Sequence, residues 1–270
     1  IVRMRGVVVD AEDYVCLLME LSEVGSLRSM LDKGPVPQTA QVKIVKGIAE
    51  GMAFLHARLP TPILHHDLKS ANVLVFPDDV AKISDFGMAT GAQRGSQSTM
   101  TNVHSTQFGA GTPAYMAPET IRETDVKFVK ASDVYAFAIV VWEVATCKVP
   151  WDKMNFPAIL RAIDAEKRPG SPPPDSPLGQ LVERCWAQKP EERPTFKEVL
   201  SEPPLSPEPD GGGRSGGDDT AHLELNKGIA AESYSVDASF ALFVGRGRTR
   251  SSSSERSSSR GLNELGMLKQ

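Results

Sequence analysis

Cysteine is scarce in this chain. Three are spread over 270 residues, Cys16, Cys147 and Cys185, and no two form a C-x-x-C pair. That spacing offers neither a thiolate zinc site nor a disulfide framework, and it fits a reducing compartment, so a cytoplasmic protein is expected. Long apolar runs are missing as well. The longest, VYAFAIVVW at 134–142, falls far short of the ~20 residues a membrane-spanning helix needs and reads as a buried helix, so no membrane partner is expected. Charge of one sign is not in excess. Thirty Lys and Arg against 34 Asp and Glu leave −4 at pH 7, which provides no basic footprint for nucleic acid. The opening IVRMRGVVVD has no apolar signal region and no cleavage site. No internal repeat is visible, and the chain starts on Ile1 rather than Met, which suggests processing or a fragment.

What is present suffices for a sizeable core. Hydrophobic residues make up 40% of the chain, and the length allows one or two domains. IVRMRGVVV and YVCLLMEL, punctuated by AED at 11–13, read as a β-hairpin. A turn at Gly25 leads to a short helix capped by Ser26 and closed by Gly34. From Thr39 to His56 the apolar residues Val42, Ile44, Val45, Ile48, Ala49, Met52, Phe54 and Leu55 recur at helical spacing. The segment 63–87 alternates short apolar runs with polar clusters, as strands and loops do. Residues 88–112 form a long polar loop. Helical patterning returns over 131–147 and 156–165, and LGQLVERCWAQ and TFKEVL read as two closing helices. From Ser201 the composition turns to Pro, Gly, Ser and Arg, which predicts a disordered tail. One apolar island, YSVDASFALFVG at 234–245, stands out as a docking or strand-forming segment. The Ser/Arg stretch RGRTRSSSSERSSSRG reads either as plain disorder or as a phosphorylatable arm that contacts RNA or a partner.

The polar residues inside ILHHDLKSANVLVF, 63–76, need an explanation. A packed strand excludes Asp67, Lys69 and Asn72. Taken alone, they are a solvated turn with a surface ion pair or a set of groups converging on one site. Four further motifs follow in order: DFG at 85–87, GTPAYMAPE at 111–119, ASDVYAFAIVVWE at 131–143 and CWAQKPEERPTF at 185–196. This series resembles the protein kinase family over residues 1 to about 200. Lys69 and GTPAYMAPE resemble Ser/Thr kinases, and the later motifs their tyrosine-kinase-like branch.

The resemblance implies an α+β kinase fold, a mostly helical large lobe with a partial small-lobe hairpin. It divides the chain into a small-lobe remnant with the hinge (1–22), the large lobe (23–200) and the tail (201–270). It also implies ATP and Mg2+ as cofactors and protein Ser/Thr hydroxyls as substrates. Asp67 would orient the hydroxyl and accept its proton, and Lys69 would neutralise the transferring phosphoryl group. Asn72 and Asp85 would supply oxygens to magnesium, and Gly87 would let the chain turn. CLLMELSEVGSL resembles the segment joining the lobes, although alone it reads as an ordinary strand and turn. Met19 would be the gatekeeper, the Glu20 and Ser22 backbones would bind adenine, and Leu74 would form the floor.

Glu119 and Arg193 resemble a buried ion pair, and Asp133 the residue that holds the catalytic loop. Thr112 is expected to hydrogen-bond near Asp67 and Lys69. Trp142 and Trp186 read as core, and His56 as a satisfied histidine rather than a ligand.

Two departures stand out. His66 occupies a position where arginine usually reads a phosphorylated loop. It is either a tolerated substitution or a sign that activation depends less on Ser96, Ser98, Thr99, Thr101, Ser105 and Thr106. No glycine-rich loop, strand lysine or helix glutamate precedes the hinge. Weak Mg-ATP binding, slow turnover and an open apolar edge on the upper strands are therefore expected of residues 1–270. The alternative is a non-catalytic, pseudokinase-like interaction module with a disordered tail.

Overall fold

The computed structural model describes residues 1–9, 15–91, 112–122, 129–206 and 240–244. Contacts separate two compact units. The larger contains Ile1–Arg3 and the described part of Leu21–Ala238; the smaller contains Met4–Glu20 and the described strand of Ser239–Gln270.

In the larger unit, β3 (Gly25–Ser26) runs into α1 (Leu27–Leu31), and the Ser26 side chain caps it by accepting from the Ser29 amide. The long helix α2 (Gln38–His56) buries Ile44, Val45, Ile48, Ala49 and Met52 completely, one stripe at helical spacing. Strand β4 (Ile63–Leu64), a 3-10 turn (Ser70–Asn72), β5 (Val73–Phe76) and β6 (Val80–Ile83) follow. Strands β3, β5 and β6 make one antiparallel sheet; β4 pairs with β7 (Thr90–Gly91). Helix α2 lies close on β6 because Gly51 and Gly47 have no side chain. A Cβ on Gly51 would meet Ile83 Cδ1 at 2.8 Å, and one on Gly47 the Ala81 carbonyl at 3.0 Å.

The remaining helices are α3 (Pro118–Arg122), α4 (Lys130–Thr146), α5 (Phe156–Asp164), α6 (Gly179–Cys185) and α7 (Phe196–Leu200). Helix α4 is apolar on every side and buried from Ser132 to Val144, which makes it the axis of the core. Trp142 and Trp186 belong to that core, which continues past α7 to Leu205. A capping box between Thr195 and Glu198 starts α7.

The smaller unit is a three-stranded sheet in the order β1 (Met4–Val9), β2 (Val15–Glu20), β8 (Phe240–Val244). The expected hairpin is therefore present. The expected open edge is corrected on one side, because β8, from within the apolar island of the tail, pairs antiparallel with β2. With helices and small antiparallel sheets, the chain has the α+β fold the motifs imply.

Candidate active site

The stretch 63–76 becomes β4, a loop, a 3-10 turn and β5. Leu64, Leu68, Val73 and Val75 are all buried and anchor it, so the polar residues between them are held in place. Lys69 Nζ lies 2.7 Å from Asp67 Oδ2, and Asn72 Nδ2 donates to the same oxygen at 3.0 Å and to the Asp67 carbonyl at 2.8 Å. Asp67, Lys69 and Asn72 thus converge on one carboxylate.

Asp133, near the start of α4, holds the loop from below. Its Oδ2 accepts from the His65 amide at 3.0 Å and contacts His56 Nε2 at 2.8 Å, while Oδ1 accepts from the His66 amide at 3.0 Å. These bonds secure a bend in which His66 sits at φ 64°, a left-handed conformation uncommon for a residue with a side chain. Burial opposes the Asp133 charge, but His56 and the two amides outweigh it and hold its pKa below the ordinary carboxyl value.

The DFG stretch is tied to the same loop. Ser84 donates to the Asn72 carbonyl twice, from its amide at 2.8 Å and its hydroxyl at 2.9 Å. His65, buried, donates from Nε2 to the Ser84 carbonyl at 3.2 Å and accepts from the Asp67 amide at Nδ1, 3.3 Å. Asp85 follows at φ 59°, exposed, with Oδ1 accepting from the Gly87 amide at 3.2 Å. The Asn72 side-chain oxygen and the Asp85 carboxylate suit a hard divalent cation. Among the described residues no cluster of three His, Cys, Asp or Glu that could hold a metal ion is present.

Sequence reasoning missed Glu143. Fully buried in α4, it accepts from Arg28 at 2.7 Å and Ser70 at 2.9 Å on Oε1, and from Tyr115 at 2.8 Å on Oε2. One carboxylate thereby joins α1, the Ser70–Asn72 turn and the Thr112–Tyr115 turn. Burial pushes its pKa up against the pull of those donors, and burial together with Glu143 raises the Tyr115 hydroxyl. A carboxylate at the end of the apolar run Val134–Trp142 was the available signal.

The ion pair read from the sequence is present and bidentate, Arg193 on Glu119 at 2.7 and 2.8 Å, with Ser132 also donating to Glu119 at 2.9 Å. Burial works against Glu119, yet Arg193 and Ser132 hold it below its ordinary pKa. His66 Nε2 meets Thr90 Oγ1 at 2.6 Å, and burial lowers the imidazole pKa, with His65 and His56 adding to it against Asp133.

Met19 and Glu20 close β2 in the smaller unit; Ser22, Leu74 and Asp85 belong to the larger. Ser22 Oγ accepts from the Gly25 amide at 3.0 Å and donates to the Val75 carbonyl, and Leu74 is half-buried opposite Ser26. The Thr112 side chain and all six candidate phosphorylation sites lie outside the described residues. A cavity of about 860 Å³ beside Trp142, Trp151 and Met154 contains none of these groups; a void of about 30 Å³ touches His66, Asp67 and Asp133.

The family model described as protein tyrosine and serine/threonine kinase matches residues 1–202. Mouse receptor-interacting serine/threonine-protein kinase 4 is 40% identical over 201 residues, covering 71% of this chain and 25% of its own. Rat mitogen-activated protein kinase kinase kinase 12 is 37% identical over 203 residues, covering 74% and 21%, and human mitogen-activated protein kinase kinase kinase 10 is 34% identical over 212 residues, covering 74% and 21%. The chain thus spans a quarter or less of the length of these relatives.

Proposed function

The chain belongs to the protein tyrosine and serine/threonine kinase family, and from that premise we propose that it transfers the γ-phosphoryl group of ATP to Ser or Thr hydroxyls of protein substrates. The observation that carries this reading is the convergence of Lys69 and Asn72 on Asp67 Oδ2, at 2.7 and 3.0 Å. Phosphoryl transfer asks for positioned charge more than for covalent chemistry, and a shared carboxylate oxygen is such a position. Asp67 orients the substrate hydroxyl and takes its proton. Lys69 offsets negative charge on the group in transit. Asn72 and Asp85 hold Mg2+, which when bound to ATP neutralises the phosphates and aligns them. Met19, Glu20, Ser22 and Leu74 receive the adenine. In this reading residues 1–22 supply the hinge, 23–200 the large lobe and 201–270 a tail, in a cytoplasmic enzyme. Among the described residues, no helix is long and apolar enough to cross a membrane.

His66 adds a regulatory element to the proposal. With its pKa lowered by burial, it is neutral at physiological pH and offers no cation to a phosphorylated loop. Activity therefore depends little on phosphorylation of the six loop hydroxyls; loss of activity on replacing all six with Ala would overturn this.

The test is ATP binding by calorimetry with and without Mg2+, alongside phosphoryl transfer to a protein substrate. Asp85→Asn is expected to abolish the Mg2+-dependent part of binding. Asp67→Asn is expected to keep it and to slow transfer by about 10²–10⁴-fold. Full turnover in Asp67→Asn sinks the assignment, and ATP binding that ignores Mg2+ points to the non-catalytic interaction module.

A further inference from the structure

The larger unit has two apolar clusters. Trp142 belongs to the main core, and Trp151 joins Ile159, Ala162 and Ile163 in a second, smaller one. A cavity of about 860 Å³ is walled by members of both, Trp142 on one side and Trp151 and Ala162 on the other. Val149 and Met154, both exposed, add apolar surface to it. Small-molecule sites occupy roughly 300–1,000 Å³ and combine apolar walls with a few polar groups. Asp67, Lys69, Asn72 and Asp85 take no part in this lining, so phosphoryl transfer makes no use of it.

The charge around the cavity is unbalanced. Lys148, Arg161, Lys167 and Arg168 line it against the single carboxylate of Asp152, which Lys153 approaches at 3.9 Å. Arg168 is fixed in place by the Trp186 carbonyl, to which Nε and Nη2 donate at 3.2 and 2.7 Å. The side chains of Lys148, Arg161 and Lys167 have no ion-pair partner among the described residues. Both indole walls carry an unanswered donor. Trp142 Nε1 and Trp151 Nε1 are buried with no acceptor among the described residues, whereas a buried indole N–H ordinarily finds one.

The backbone around the cavity is strained. Cys147, Trp151, Lys153 and Glu166 sit at φ 55°, 57°, 63° and 59°, and each lines the cavity or adjoins a residue that does. A left-handed conformation is a true outlier for a residue as bulky as tryptophan. Such strain gathers at ligand clamps and active sites, and His66 and Asp85 show it at the Asp67 loop.

We propose that this cavity is a second binding site and that its ligand is a small aromatic anion. The ring packs on Trp142, Trp151 and Met154, where flat aromatic walls favour another ring. The carboxylate or phosphate head is held by Arg161, Lys167 and Lys148, whose excess positive charge selects an anion over a neutral molecule of the same shape. The ligand ties the end of α4 to α5.

The test is calorimetric titration of the 270-residue chain, without nucleotide, with 1-naphthoate, 1-naphthyl phosphate and the neutral 1-naphthylmethanol. The anions are expected to bind about tenfold tighter than the alcohol or better, and the tighter anion names the head group. Two variants locate the site. Arg161→Gln/Lys167→Gln alters two exposed side chains and is expected to erase the preference for anions while leaving the alcohol's affinity unchanged. Ala158→Phe fills the cavity from half-buried Ala158 on α5 and is expected to weaken all three ligands about tenfold or more. The urea midpoint of tryptophan fluorescence reports whether each variant keeps its fold; if Ala158→Phe shifts it, the double variant decides alone. Equal binding of the alcohol and the anions overturns the proposal. So does a dissociation constant above about 1 mM for both anions, or a preference for anions that survives in Arg161→Gln/Lys167→Gln.

Discussion

In the larger unit three charged side chains are sunk in the core and each has its partners. Arg193 forks onto Glu119, Asp133 holds His56 and two loop amides, and Glu143 gathers Arg28, Ser70 and Tyr115. In the sheet of β1, β2 and β8 the connecting structure is a backbone ladder, and Val7, Val8, Val9 and Leu17 stand in solvent. The two regions differ in what would satisfy them. A buried charge is satisfied by one arrangement of its surroundings, and losing a partner leaves it uncompensated. A ladder is satisfied by any strand of the right length and sense. A ladder tolerates exchange of its strand; a network of buried charges does not tolerate exchange of its members.

The contrast can be broken experimentally, most severely at Arg193. Arg193→Ala leaves Glu119 without its fork and is expected to cost ~3–5 kcal/mol, read as a shifted denaturant midpoint of tryptophan fluorescence. The pKa of Glu119 is depressed in the fold, so its contribution is present above the ordinary value of 4.5 and is lost as pH falls through the folded value. The variant should therefore also have a flatter acid limb.

Asp133→Asn is next. It replaces an acceptor of two loop amides with a group that can accept on one atom only, an expected loss of about 1–3 kcal/mol. Because the loop carrying Asp67 rests on those bonds, kcat should fall more than KM rises.

The His66 effect is smaller. Its pKa is lowered in the fold, so the unfolded chain binds more protons below pH 6.5. Stability should decline on acidification from pH 7.5 through that window, and His66→Gln should remove this part of the slope. Smallest of all, Val8→Thr on the exposed strand should change the tryptophan-monitored midpoint by under about 0.5 kcal/mol. A large effect there would erase the distinction between the regions.

Legibility in the sequence followed the same divide between local and distant. Asp67, Lys69 and Asn72 were readable because one short loop holds all three, and α2 because its stripe repeats every turn. The β1–β2 hairpin was readable from two neighbouring apolar runs. Glu143 was not, because its partners lie 28, 73 and 115 residues away and the helix around it reads only as apolar. The pairing of β4 with β7 escaped because two residues a side leave no alternation to detect. The island containing β8 was visible as strand-forming, but its partner lay at the opposite end of the chain.

Four of the bonds at the loop form a closed circuit. The Asp67 amide reaches His65, His65 reaches the Ser84 carbonyl, the Ser84 amide reaches the Asn72 carbonyl, and the Asn72 side chain returns to the Asp67 carbonyl. A ring has no free end, so none of its four members can swing without breaking two links at once. Asp85 is the first residue outside it and already sits at positive φ. Any rearrangement that carries Asp85 toward or away from Asn72 must therefore pivot there, with the backbone of Asp67 standing still as the fixed point of the movement.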